Sequence, residues 1–162
     1  MALTKEKKAK IISHLKGFLG KSKSVVFVNF RGLTVAMVSE LRRVLKSAGV
    51  KYYVAKKTLT RIALKDSKIP GEQPELPGEL AIVYGDDIMA PSREINEFIK
   101  KFPENLKILG GIFDGRFMNQ PEMVEIAAIP ALPVLYGKFV NIINSPIQRF
   151  VIGLSEIAKA KN

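Results

Sequence analysis

Hydrophobic and polar residues recur along the chain with two different periods, and the changes of period mark its elements. Ile11, Ile12, Leu15, Phe18 and Leu19 fall at i, i+1, i+4, i+7 and i+8, which predicts a helix over Thr4–Leu19 with Thr4 as its cap. The β-branched and aromatic run Ser24–Phe30 predicts a buried strand. Arg31-Gly32-Leu33 reads as a turn. Thr34 then caps a helix reaching Ala48, with Val38, Leu41, Leu45 and Ala48 inward and Gly49 ending it. Val50–Ala55 predicts a second strand, and a third helix runs from Lys57 to about Asp66.

The stretch Ile69–Glu79 holds three prolines and two glycines and reads as a surface loop. Leu80–Tyr84 predicts a third strand, and Pro91 opens a helix to Phe102 with Ile95, Phe98, Ile99 and Phe102 inward. Leu106–Phe113 predicts a fourth strand interrupted by Gly110-Gly111, with Arg116–Met118 as a short partner after the Asp114-Gly115 turn. Gln120–Ala127 is a short helix. This order predicts an α/β fold, with a globular domain over residues 1–128 whose mixed sheet is covered by helices. Residues 129–133 read as a linker, because Pro130 and Pro133 prevent one continuous helix.

From residue 134 to 162 the period of a helix returns, with an apolar side and a polar side. Leu135, Tyr136, Phe139, Val140, Ile143, Ile147, Phe150, Val151, Leu154 and Ile157 share one side. Lys138, Asn141, Asn144, Gln148, Arg149, Ser155, Glu156 and Lys159 occupy the other. Within it, Lys138-Phe139-Val140 with Ile143 recurs as Arg149-Phe150-Val151 with Leu154, eleven residues later. Eleven residues make about three helical turns, so both copies keep the same face. Pro146, between the copies, predicts a kink or a restart capped by Ser145. Helices already cover the sheet before the linker, so this further apolar face is expected to protrude and dock a partner.

Composition narrows the chemistry. With 162 residues and 47% hydrophobic content, the chain can build a real core. The absence of cysteine excludes disulfides, thiolate catalysis and Cys-based zinc sites, and the single histidine, His14, leaves no His–His metal pair. The charged start is unlike a secretory signal, and the longest uncharged run near the C-terminus, Ile126–Gly137, is 12 residues, too short to span a bilayer. A cytosolic protein with no membrane partner is expected.

The net charge of +11 is unevenly placed. Residues 1–68 hold 17 Lys/Arg against 3 Asp/Glu, residues 69–130 hold 5 against 11, and residues 131–162 hold 4 against 1. The basic first segment suits a polyanion. Lys5, Lys7, Lys8 and Lys10 crowd the first turns of a helix, where its dipole disfavours cations, so a nearby phosphate backbone explains them better than helix stability does. Arg31 stands at the mouth of the first strand. Lys56, Lys57 and Thr58, with Arg61, stand where the second strand enters the third helix. If those strands are neighbours, both clusters emerge at one sheet edge, with free helix N–H groups among them. Phosphate contacts of this kind give affinity and register, and structured RNA recognised by shape suits them.

Other constellations carry less. Gly17-Phe18-Leu19-Gly20-Lys21-Ser22 lacks the first glycine of a phosphate-binding loop, because Leu15 stands there, and its flanking strand and helix are reversed. It reads as a helix C-cap. Asp86-Asp87 follows a strand end, where an α/β enzyme could place catalytic carboxylates, but no partner accompanies them and a solvated turn is expected. His14 reads as a rim residue. No cofactor and no metal is called for.

Three blocks then become recognisable: Phe27-Val28-Asn29-Phe30-Arg31-Gly32-Leu33-Thr34-Val35, Glu40-Leu41-Arg42 with Ala48-Gly49-Val50, and Val54-Ala55-Lys56-Lys57-Thr58-Leu59. Together with Leu76-Pro77-Gly78-Glu79-Leu80-Ala81-Ile82 and Gly110-Gly111, they resemble the family of large-subunit ribosomal protein ten, over essentially the whole chain. One departure is Lys57, where the family usually carries Asn; the position stays basic. The resemblance implies a non-enzymatic ribosomal protein. Its N-terminal domain would bind large-subunit rRNA at the stalk base, beside ribosomal protein eleven. Its C-terminal helix would carry dimers of the acidic stalk protein (seven/twelve), which recruit translational GTPases. Matched to the motif, Arg31, Gly32, Lys56, Lys57 and Thr58 are the implied RNA contacts. Two copies of the eleven-residue repeat imply two dimers. An assembly factor of the same fold is the related alternative and would not need the docking helix. A small α/β enzyme at Asp86 and Asp87 is the remote one.

Overall fold

In the computed structural model, which describes residues 5–67 and 69–161, the chain divides into two compact units, Met1–Ile129 and Pro130–Asn162. The first unit contains α1 (Lys5–Lys21), β1 (Ser24–Phe30), α2 (Val35–Ser47), β2 (Lys51–Val54), α3 (Lys57–Asp66), β3 (Leu80–Gly85), α4 (Ala90–Lys101), β4 (Leu106–Phe113), β5 (Arg116–Met118) and α5 (Gln120–Ala127). The second is α6 (Leu132–Lys161). The expected cap Thr4 lies outside the described residues. Thr34 does cap α2, its Oγ1 accepting from the Met37 N–H at 3.4 Å.

The α/β class holds, but the expected mixed sheet gives way to a wholly antiparallel one in the order β2-β3-β1-β4-β5. The reason is the placement of β3. It inserts between β1 and β2 and pairs antiparallel with both, Phe27 opposite Ile82 on one side and Tyr53 opposite Ile82 on the other. β1 and β2 therefore run the same way without touching. The central strand β1 has Val25 to Val28 buried on both faces, as a strand flanked on either side and covered above and below requires.

Each face of the sheet has its own core. Val25, Phe27, Leu80, Ile82 and Ile112 pack under α1 and α3, against Leu15, Phe18, Leu59 and Leu64. Val26, Val28, Val83, Leu106 and Ile108 pack against α2, α4 and α5 through Leu41, Leu45, Ile95, Phe98 and Met123. Burying each large side chain contributes about 1.5–3 kcal/mol, so these two layers hold the unit together. Ile108 and Ile112 share sequence parity yet face opposite cores. A bulge explains this: Phe27 lies opposite Gly110 and Val28 opposite Ile108, leaving Leu109 as the extra residue. The glycines thus do not interrupt β4. A Cβ on Gly111 would stand 2.5 Å from the Val25 carbonyl oxygen, so only glycine permits the pairing.

α1 extends to Lys21, past the expected end at Leu19. Gly17 and Gly20 lie inside it rather than capping it, and the Ser22 N–H donates to the Phe18 carbonyl at 2.8 Å. α6 also differs from expectation. It begins at Leu132 with Pro133 in its first turn, where a missing N–H removes nothing. It then passes unbroken through Pro146, with Ser145 inside the helix rather than capping a restart. Proline there removes the bond to the carbonyl of Ile142, at a position where the helix is exposed.

Candidate nucleic-acid interface and the exposed helix

Because β1 and β2 both pair antiparallel with β3, their C-terminal ends finish at the same end of the sheet. The two basic clusters therefore come together, by a different route from the expected one, which required β1 and β2 to be neighbours. Between them runs the approach to β3. Arg31 and Asn29 line one hollow with Pro77, Gly78 and Glu79. Lys56, Lys57 and Thr58 line another with Phe30, Val54, Ala55, Gly78, Glu79 and Leu80. Gly78 and Glu79 form the wall common to both.

The backbone at this end is held by two asparagines that charge patterning could not find. Asn105 Nδ2 donates to the carbonyls of Arg31 and Gly32, each at 3.1 Å, and the Arg31 N–H donates to the Asn105 carbonyl at 2.9 Å. That fixes the Arg31–Gly32 turn, where Gly32 takes φ 71°. Asn29 Nδ2 donates to the Pro77 carbonyl at 3.2 Å. Gly78, at φ 72°, leaves no room for a Cβ, which would stand 2.8 Å from that same amide nitrogen. Asn29 and Gly78 were visible as members of the resembling blocks; nothing in the sequence marks Asn105.

α3 starts directly from this end. Lys56, its N-terminal flank, has no side-chain capping bond, while the N–H groups of Leu59 and Thr60 turn back to the Lys56 carbonyl. The N–H groups of Lys57 and Thr58 thus face outward with the partial positive charge of the helix end. Arg31, Lys56, Lys57 and Thr58 are exposed, and no ion pair involving these cations occurs among the described residues. Arg61 is exposed one turn further along α3 and does not line either hollow.

The lysines of α1 approach the same end. Phe18 stacks on Tyr84 at 4.3 Å between ring centroids, and His14, one turn earlier, lies 5.5 Å from Tyr53. Tyr84 is opposite Lys51 at the start of β2 and Tyr53 is nearer its end. α1 therefore runs counter to β2, and its first turns, bearing exposed Lys7, Lys8 and Lys10, point toward the end where Lys56 emerges. Lys5 opens that helix. Lys16, further along, pairs with Asp66 of α3 at 2.7 Å.

The remaining candidates resolve into structural roles. Asp87 Oδ1 accepts from the Met89 N–H at 3.0 Å and shapes the turn into α4. Asp86 and His14 sit on the rim of a hollow of about 330 Å³ at the opposite end of the sheet from Arg31. No group of three metal-ligating side chains occurs among the described residues. Tyr52 is packed without a partner for its hydroxyl, and burial pushes its pKa up to about 12 against the opposing pull of Arg42, whose guanidinium lies 5.5 Å from the ring centroid.

In α6 all ten apolar residues singled out above are exposed, from 42% at Leu135 to 67% at Phe150. Ile142, outside the ten residues of the predicted stripe, is exposed at its margin. Among the described residues no single helix is long and apolar enough to cross a membrane.

The sequence matches a known family. The family model for Ribosomal protein L10 matches residues 3–100. The chain is 35% identical to large ribosomal subunit protein uL10 of Shouchella clausii, with 99% of this chain and 97% of that protein covered. It is 38% identical to the uL10 protein of Clostridioides difficile, with 95% and 92% covered. For the uL10 protein of Rhodospirillum rubrum the identity is 31%, with 98% and 91% covered. The chain belongs to the ribosomal protein L10 family, a structural component of the large ribosomal subunit and not an enzyme.

Proposed function

We propose that this chain binds large-subunit rRNA at the stalk base through the basic end of its first unit, and anchors dimers of the acidic stalk protein (seven/twelve) through α6. The observation that carries the RNA half is the convergence of Arg31 with Lys56, Lys57 and Thr58 at one end of the sheet, around an outward-facing helix N-terminus. Rigid backbone at that end, set by Asn29 and Asn105, suits recognition of RNA shape through its phosphates. Lys7, Lys8, Lys10 and Arg61 extend the positive field around it, and Lys5, at the start of the same helix as the other three lysines, is assigned to the contact by its charge in the sequence.

The stalk half is supported by the exposed apolar stripe of α6. Its two copies of the eleven-residue repeat make two docking places, hence two dimers, which would bring translational GTPases to the ribosome. The protein would work in the cytoplasm on the ribosome, with ribosomal protein eleven nearby. The retained docking helix favours this reading over an assembly factor of the same fold.

Replacing Arg31, Lys56 and Lys57 with Ala tests the RNA half on an rRNA fragment spanning the stalk base. Affinity should fall, and the dependence of log K on log salt should flatten by about 0.7–0.9 for each phosphate that is no longer neutralised. Unchanged affinity and slope would refute the site.

A further inference from the structure

The hollow beside Lys56 is not only basic. Its floor and wall are Phe30, Ala55 and Leu80 with Val54, and its volume is about 510 Å³, within the roughly 300–1,000 Å³ common for small-molecule sites. Val54 lies on the edge strand β2 and is 45% exposed, while Phe30 at the end of β1 is half-buried. An apolar floor with two lysines and a threonine on its rim is a poor fit to a phosphate alone, which makes no use of Phe30, Val54 or Leu80. It is a good fit to a nucleotide: a flat apolar ring against the floor, and a phosphate at the rim. Glu79 is the one acidic side chain lining the hollow. A carboxylate there accepts a hydrogen bond from an exocyclic amino group of the kind adenine and cytosine carry.

We propose that this hollow takes an unstacked nucleotide of the bound RNA, with its base against Phe30 and Val54 and its phosphate between Lys56, Lys57 and the Thr58 N–H. The inference rests on the RNA-binding reading of this end of the sheet. It adds to that reading a place where a looped-out or bulged base, not only the backbone, is gripped. Sequence-specific RNA recognition commonly uses such splayed bases, held by stacking and by their polar edges.

Val54→Trp fills the hollow at an exposed strand position that tolerates aromatic residues. It removes no charge. The expected result is about a tenfold loss of affinity for the stalk-base rRNA fragment, in line with the loss of one stacked base, with the salt slope unchanged. In the unmodified protein, adenosine 5′-monophosphate should shift the methyl resonances of Val54 and Leu80, whereas ribose 5-phosphate and inorganic phosphate should move only the Lys57 and Thr58 amides. Full affinity in Val54→Trp, or methyl resonances that stay still with adenosine 5′-monophosphate, would overturn the nucleotide site. If the Arg31, Lys56 and Lys57 substitutions still weakened binding, the RNA-binding reading would survive that failure. If they too had no effect, both would fall.

Discussion

Phe27 and Phe150 are the same residue in two regions with opposite uses for it. Phe27 sits fully buried in the middle of β1, between β3 and β4 and under α1 and α3. Phe150 sits in α6 with two thirds of its surface in water. In the first unit apolar residues face inward on both sides of a sheet and generate the stability. In α6 they run along one side of a helix and generate none until something covers them. A protein keeps so long an exposed apolar stripe only where it is used, because such a patch is otherwise an aggregation hazard.

Substitution at those two residues draws the contrast most sharply. Phe27→Ala should destabilise the first unit by about 3–5 kcal/mol in a denaturant titration, because it removes a buried ring and leaves a cavity. Phe150→Ala should change the same titration by no more than about 0.5 kcal/mol. It should instead weaken capture of the stalk protein. Equal losses of stability would mean that α6 is part of a core after all.

A smaller effect separates position from charge within the proposed RNA-binding end. Asn105→Ala removes the two bonds that hold the Arg31 and Gly32 carbonyls, and should lower stability by about 1 kcal/mol. RNA affinity should fall with it while the salt slope stays the same, since no cation is removed. A flattened slope would show that Asn105 holds Arg31 against a phosphate more directly than the geometry describes.

A separate effect lies at alkaline pH and belongs to the buried region alone. The pKa of Tyr52 is raised by burial to about 12, above the ordinary value of 10.0, so the folded state favours the neutral phenol. Its contribution is fully present below pH 10 and is lost as pH rises through 12. Tyr52→Phe should therefore flatten the loss of stability between pH 10 and 12, measured by denaturant unfolding at fixed salt. An unchanged alkaline profile would assign that loss to other groups.

Much of this architecture was legible in local pattern. The runs Ser24–Phe30, Lys57–Asp66, Leu106–Phe113 and Gln120–Ala127 emerge with the expected bounds, because alternation, periodicity and turn residues act over a few neighbours. What local pattern could not carry was pairing between distant strands. Nothing near β1 or β2 signals that β3 will insert between them, so the sheet was expected to be mixed and the basic clusters to meet by adjacency. The bulge at Leu109 is illegible for the same reason, since Gly110-Gly111 reads locally as a break and only the Val25 carbonyl shows why it is a close approach. The charged residues of the site were visible as charge. The asparagine that orients Arg31 acts from 74 residues away and was not. In α6 the stripe was plain from spacing, whereas the unbroken passage of the helix through Pro146 was not.

The proposed division of labour between the two units is tested most directly by native mass spectrometry of the chain mixed with the acidic stalk protein (seven/twelve). The full chain should appear with four copies, two dimers on the two repeats of α6, and a chain ending at Ile129 should appear with none while still binding the rRNA fragment. One dimer or three on the full chain would contradict the reading of the repeat, and stalk protein retained without α6 would contradict the account as a whole.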